Sequence, residues 1–398
     1  MGVRNTKAWK AAKWEYEELN THTLIPIFGK QLSPEEIIER LEMILKKCPK
    51  FYPALLDLAL RRLAIGGDRS VERQIEEGFH LMLELAESEN IDEELDILLE
   101  NLEKLRRFDL SRHYLKVLVE RYPHNALFHD SLAHATARMG DVNEALLHIG
   151  KAVQLEPANH HFKSNQGWIH LIAGNLKEAG EALETALLFD ADNKLVKGNL
   201  EICKYLTKHG GNYFDYLLRP VEEDKIDRLM DEEEWEEVDR MRASYNNCRF
   251  EAMAQSFIQG NKNKISRLPD ILSTLGVFFE FVQKVDQDNH LNEDLDFIHE
   301  YFKPIMHKFI FKFGDVDKQM IEEIYEALFG YYEFLVCRSL VSNKAFKRFQ
   351  KKILGMKKVL IQKMQRYNAI RHNNDMDEEE KEAIRCELFE GDHEWPFL

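Results

Sequence analysis

When the chain is shifted by 34 residues, Ala126 to Pro157 lies over His160 to Ala191, placing Gly140 on Gly174, Glu144 on Glu178, Ala145 on Ala179 and Ala152 on Ala186. A unit this short cannot bury its own apolar face, so successive units must stack on one another. Within each unit the apolar residues fall into two helical patterns. Leu132, Ala133 and Ala135 mark the first, and Ala145, Leu146, Ile149, Ala152 and Val153 the second. The joint between them is written in the chemistry of three residues: Gly140 to leave the first helix in the left-handed region, Asp141 to cap the second, and Glu144 to complete a capping box. Gly174, Asn175 and Glu178 repeat the pattern, and Pro157 ends the second helix.

A 34-residue helical pair with small residues and a turn glycine at these places resembles the tetratricopeptide repeat family. The resemblance covers about half the chain and implies a right-handed, all-α solenoid of helical hairpins. Counting back from Pro157, Pro123 closes an earlier unit, Asp92 to His124. This unit is degenerate: Arg106 and Arg107 replace the turn glycine, and Leu99 stands where a small residue is usual. Pro49 marks one more unit, about 52 to 91, with an insertion near Gly66 to Val71. Glu35 to Lys47 reads as the second helix of a partial first unit, and Leu195 to Lys208 as a closing helix that covers the last repeat. The family's aromatic at the fourth position is replaced by His129 and Lys163. The expected organisation is a helical extension over 1–30, with Trp9 and Trp14 packed on the first repeat, then the solenoid over 31–209, a helical module over 210–371 and an acidic tail over 372–398.

In this family the second, fifth, ninth and twelfth positions of each first helix face a concave groove. The resemblance therefore implies that Asp96, Glu100 and Glu103 line it at one end, Asp130 and His134 with Arg138 in the middle, and Trp168 and Leu171 at the other. Acidic at one end and aromatic at the other, such a groove suits a protein or peptide with Lys or Arg near one end and a large apolar side chain near the other. Relatives that bind acidic chaperone tails carry Lys, Asn and Arg at these positions. Carboxylates here argue against that ligand. The plain alternative is that the acids form a solvated helix face and that Trp168 is core.

Past Gly210 the register is lost, and 17 of the 24 phenylalanines follow, several in VFFEF and FIFKF. A separate aromatic core is expected, built from long helical stretches with breaks at Gly260, Asn289 and Gly314 and a break or kink at Pro304. Glu222 to Tyr245 reads as one such stretch. Charge is laid down in blocks. Glu222 to Arg240 holds eleven acids against three bases, Arg338 to Arg371 holds eleven bases and no acid, and Asp375 to Glu394 holds ten acids against two bases. The basic block carries Phe346, Phe349, Ile353, Met356, Leu360 and Met364 at helical spacing, so it is a cationic amphipathic helix over 345–367. Its lysines, Lys351, Lys352, Lys357 and Lys358 among them, have three possible partners: the chain's own acidic blocks, an acidic protein or nucleic acid, or an anionic membrane.

No phosphate-binding glycine loop, nucleophile elbow, HExxH or kinase signature occurs, so neither a cofactor nor catalysis is expected. The sixteen histidines include Glu77/His80 and Asp296/His299 at the spacing used in di-iron bundles, but the further glutamates such a centre needs are not in register, and no metal is expected. Five cysteines form no CxxC pair, the longest apolar run falls short of the ~18 residues a membrane span requires, and the opening residues lack an apolar leader core. These features predict a cytoplasmic protein. A net charge of −16 disfavours nucleic acid and anionic lipid as general partners. The opening MGVRNTK also fits the acylation pattern at Gly2, which often arises by chance.

Overall fold

The computed structural model describes residues 6–24, 32–64, 69–85, 92–260, 267–286, 290–313, 316–373 and 375–389, and no strand occurs among them. Gly2 and the end of the acidic tail lie outside the described residues. The chain divides into two compact units. One comprises Met1–Ile169, Leu188–Asp190 and Asn263–Asp270; the other His170–Leu187, Ala191–Lys262 and Ile271–Leu398.

The first unit carries α1 (Lys7–Leu24), α2 (Pro34–Lys47), α3 (Tyr52–Ala64), α4 (Arg69–Leu85), α5 (Asp92–Lys104), α6 (Phe108–Arg121), α7 (Ala126–Arg138) and α8 (Val142–Leu155). The division falls inside α9 (His160–Ala173), which α10 (Leu176–Leu187) and α11 (Lys194–His209) follow. Helices α5, α7, α9 and α11 start 34 residues apart, and so do α6, α8 and α10. The period therefore continues one helix further than the repeat in sequence identity, because α11 starts where a further first helix is due.

The same backbone turn recurs at each hairpin. Gly140 and Gly174 take φ of 82° and 78°, and Arg106, one period earlier, takes 53°. Each turn is closed by an identical pair of bonds: Arg106 N–H to Glu103 O and Arg107 N–H to Leu102 O, Gly140 to Ala137 and Asp141 to Thr136, then Gly174 to Leu171 and Asn175 to His170. The degenerate unit thus keeps the geometry without the glycine. Asp141 caps α8 by accepting from the Glu144 N–H at 3.4 Å. The return half of the expected capping box is not made, because the Glu144 carboxylate goes to Arg112 and, at 2.8 Å, to Lys116 on α6. Asn175 likewise turns its amide to His170 rather than capping α10.

The core of the first unit runs from helix to helix through Leu41, Ala59, Ile75, Phe79, Leu98, Tyr114, Leu118 and Leu132, with α3 and α4 contributing the most side chains. Trp9 joins it edge-on against Phe51, with ring centroids 4.9 Å apart, whereas Trp14 faces outward and is exposed, so only one of the two tryptophans packs on the array. His129 fills the place of the missing aromatic. It is buried, stacks on His148 at 5.3 Å and shares an Nδ1···Nδ1 hydrogen bond of 3.0 Å with it.

The second unit continues with α12 (Tyr213–Leu217), α13 (Glu223–Asp231), α14 (Trp235–Gly260), α15 (Leu268–Asp286), α16 (Leu295–Lys312), α17 (Lys318–Cys337), α18 (Asn343–Arg371) and α19 (Glu378–Leu388). Its core is aromatic as expected, with Phe278, Phe302, Phe349, Tyr325, Tyr331 and Tyr332 buried together. Helix α16 runs on through Pro304. The acidic stretch that reads as one helix from Glu222 to Tyr245 is two, α13 and α14, parted where Glu233 takes φ of 60°.

Candidate partner-binding groove

Helices α5, α7 and α9 present the residues that the repeat register assigns to the groove. Asp96 and Glu100 are exposed on α5, and Glu100 pairs with its own-helix neighbour Lys104 at 2.8 Å. Glu103 leans instead toward α7, its Oε1 3.4 Å from His134 Nδ1. The His134 ring lies 5.1 Å from Trp168 on α9 and 6.1 Å from Phe108 on α6. Arg138, one turn on from His134, donates from Nε to His134 Nε2 at 3.5 Å and sets its guanidinium 4.8 Å from the Trp168 ring centroid and 5.8 Å from that of Phe108. Glu103, His134, Arg138 and Trp168 thus form one continuous ribbon across α5, α7 and α9. The tryptophan is only 8% exposed beneath it. An open aromatic anchor pocket at Trp168 is therefore corrected: the chain's own Arg138 and His134 already occupy that face.

Asp130 lies one turn before His134. It is 8% exposed, and both carboxylate oxygens accept from the Asn165 amide on α9, at 3.0 and 2.9 Å. Among the described residues no cation stands against it. Burial, only partly offset by Asn165, pushes its carboxyl up to about 6. A carboxylate held this way costs stability at neutral pH, and costly carboxylates of this kind gather at functional sites.

Leu171 is not part of any groove. It is fully buried with Ala179, Cys203 and Leu206 in the core of the second unit, because at this point of α9 the register turns its side chain inward. The corresponding correction for the basic helix is one of degree. α18 buries Phe346, Phe349, Ile353, Leu360, Met364 and Tyr367 as a core helix. Lys352 donates from Nζ to the His299 carbonyl at 2.7 Å, Lys357 lies 3.8 Å from Glu322 and 5.3 Å from the Tyr325 ring centroid, and Arg366 pairs with Glu387 at 2.8 Å. Lys351 and Lys358 are exposed.

Sequence reasoning missed a second concavity. A cavity of about 970 Å³ opens between α1, α3 and α5, floored by Trp9, Phe51, Leu56 and Leu60 and edged by the exposed Ile97. Part of its polar wall is internally satisfied: Arg61 Nε donates to Asp57 at 2.7 Å, the Tyr16 hydroxyl to Asp57 at 3.5 Å, and the Tyr52 hydroxyl to Glu94 at 3.0 Å. Burial, aided by Asp57, pushes the Tyr16 hydroxyl up to about 12. The cue in the sequence was the aromatic run Trp9, Tyr16, Phe51 and Tyr52, but the repeat register does not extend to α1 and so could not assign it a face.

Among the described residues there is no cluster of three or more His, Cys, Asp or Glu side chains placed to hold a metal ion, and no helix is long and apolar enough to cross a membrane. The regular helix starts and left-handed turns make α5 to α11 an array of helical hairpins with a 34-residue period, and the described residues are all-α. The solved structure of the P58(IPK) TPR domain is similar to the chain at 11% sequence identity, covering 89% of this chain and 99% of that one with a TM-score of 0.24. No family model matches the chain, and no curated protein matches it.

Proposed function

We propose that this protein is a non-enzymatic adaptor that holds an extended, basic segment of a partner protein against α5, α7 and α9, with Asp130 as the point of recognition. The observation that carries the reading is the buried Asp130 carboxylate, which has an amide but no cation for company. A partner lysine or arginine would supply the missing charge in a desolvated setting, where charge-assisted bonds are strong. Asp96, Glu100 and Glu103 on α5 extend the acidic character beside it and would steer a basic ligand toward the site. His134, Arg138 and Trp168 form the rigid wall across which its backbone lies. The protein works without a cofactor, and its place is the cytoplasm.

The alternative, in which the basic helix engages nucleic acid or an acidic partner, has less support. The apolar face of α18 is spent on the core, and Lys352 and Lys357 are engaged inside the unit. Quantitative crosslinking to partners separates the two readings. Asp130→Lys with Glu103→Lys should reduce capture of the specific partner at least tenfold, while Lys351→Glu with Lys358→Glu leaves it unchanged. The reverse pattern would favour the basic helix.

A further inference from the structure

The cavity between α1, α3 and α5 lies in the same compact unit as Asp130, and α5 contributes to both places: Ile97, Leu98 and Asn101 to the cavity, Glu103 to the ribbon. At about 970 Å³ it is at the upper end of sites that bury a drug-sized ligand, and its aromatic and aliphatic floor of Trp9, Phe51, Leu56 and Leu60 is rimmed by charged and amide side chains. Several of its charged residues are already answered within the unit. Asp57 has Arg61, Glu94 has Tyr52, and Lys13 lies 3.8 Å from Glu17 on the same helix. The floor of the open volume is apolar, with Ile97, 50% exposed, at its lip. By contrast, the aromatic surface near Asp130 is closed by Arg138.

We infer that the α1–α3–α5 cavity is the anchor subsite for a large apolar side chain of an extended peptide whose lysine or arginine meets Asp130. This inference rests on the groove reading above and fixes the order of the ligand's parts: the apolar anchor sits on the α1 side, the base on the α7 side. Packed helices stand about 8–10 Å apart and an extended chain advances about 3.3 Å per residue, so the step from the cavity beside α5 to Asp130 on α7 takes about three to five residues. The ligand class is therefore a peptide with an aromatic or leucine anchor separated from a lysine or arginine by that interval. The anchor supplies buried area and the base supplies specificity.

The test is to pan a random twelve-residue peptide library displayed on phage against the full chain and against three variants. The wild-type chain should enrich aromatic or leucine residues about three to five positions from lysine or arginine. Ile97→Asp, at an exposed position, and Ala64→Trp, which narrows the cavity from α3, should each erase the apolar preference and keep the basic one. Asp130→Asn should do the opposite. Circular dichroism and melting curves confirm that each variant is folded. A basic preference without an apolar anchor, or an anchor preference untouched by both cavity variants, overturns the subsite and leaves the groove reading standing. A basic preference that survives Asp130→Asn overturns the groove reading, and no enrichment at all overturns both.

Discussion

The two compact units solve the burial problem differently. In the first, helices of 13 to 18 residues repeat one local arrangement, and the core passes from neighbour to neighbour. In the second, helices of up to 29 residues surround one aromatic centre, and several polar groups caught inside are held by partners from other helices. Arg249 is the extreme case. It is almost wholly buried, and donates to Glu293 at 2.8 Å, to the Leu217 carbonyl at 2.7 Å and to the Arg219 carbonyl at 2.8 Å. The contrast teaches where function can reside. The second unit answers its most deeply buried guanidinium with the Glu293 carboxylate, whereas in the first the buried Asp130 carboxylate is met by the neutral Asn165 amide.

The largest expected effect breaks the second arrangement. Arg249→Ala strands the Glu293 carboxylate and two carbonyls, and removing one member of a buried pair costs about 3–5 kcal/mol. Hydrogen exchange should accelerate across α14 and α16 to α18, with much smaller changes in α2 to α8. Uniform acceleration through both units would show that the two do not differ in the way described.

The next effect sharpens the comparison from the other side. The Asp130 carboxyl is raised from its ordinary value to about 6, so the folded chain binds a proton that the unfolded chain has released between roughly pH 4 and 6. Stability therefore falls as pH rises through that window, and the loss is complete above it. Each tenfold change in proton affinity is worth about 1.4 kcal/mol, so Asp130→Asn should be more stable than wild type by about 2–3 kcal/mol at pH 8, the difference shrinking toward zero near pH 4. Denaturant melts at both pH values check this. If partner binding is weakened by the same substitution, stability has been given up for recognition; a variant no more stable than wild type at either pH would mean that burial does not perturb the Asp130 carboxyl.

Sequence legibility follows the same divide. The period was readable because each repeat touches only its neighbours, so Gly140, Asp141 and Ala145 carry their structural reasons within one hairpin. The positions of Asp130, His134 and Trp168 on the first helices followed from that register. What they touch did not. Arg138 closing over Trp168 depends on a contact between two repeats, and Leu171 turning inward depends on Cys203 and Leu206 from a later helix. The α1–α3–α5 cavity lay outside the repeat altogether. In the second unit, Phe302 meets Phe278, Tyr325 and Phe349 from three other helices, pairings that no local spacing encodes.

The smallest predicted effect tests whether the repeat geometry rather than the repeat residue is what the array requires. Arg106 holds the left-handed turn that glycine holds at 140 and 174, and both bonds that close the turn are intact. A side chain in that region costs about 1–2 kcal/mol, part of which glycine gives back through its freer unfolded chain. Arg106→Gly should therefore stabilise the first unit by about 0.5–1 kcal/mol, and Gly140→Ala should destabilise it by about 1 kcal/mol. Opposite signs from substitutions at equivalent positions would mean that the degenerate hairpin folds under the same backbone constraint as its neighbours. Destabilisation by Arg106→Gly would mean instead that the arginine side chain holds that turn, and that the hairpin of α5 and α6 kept the period by a different route.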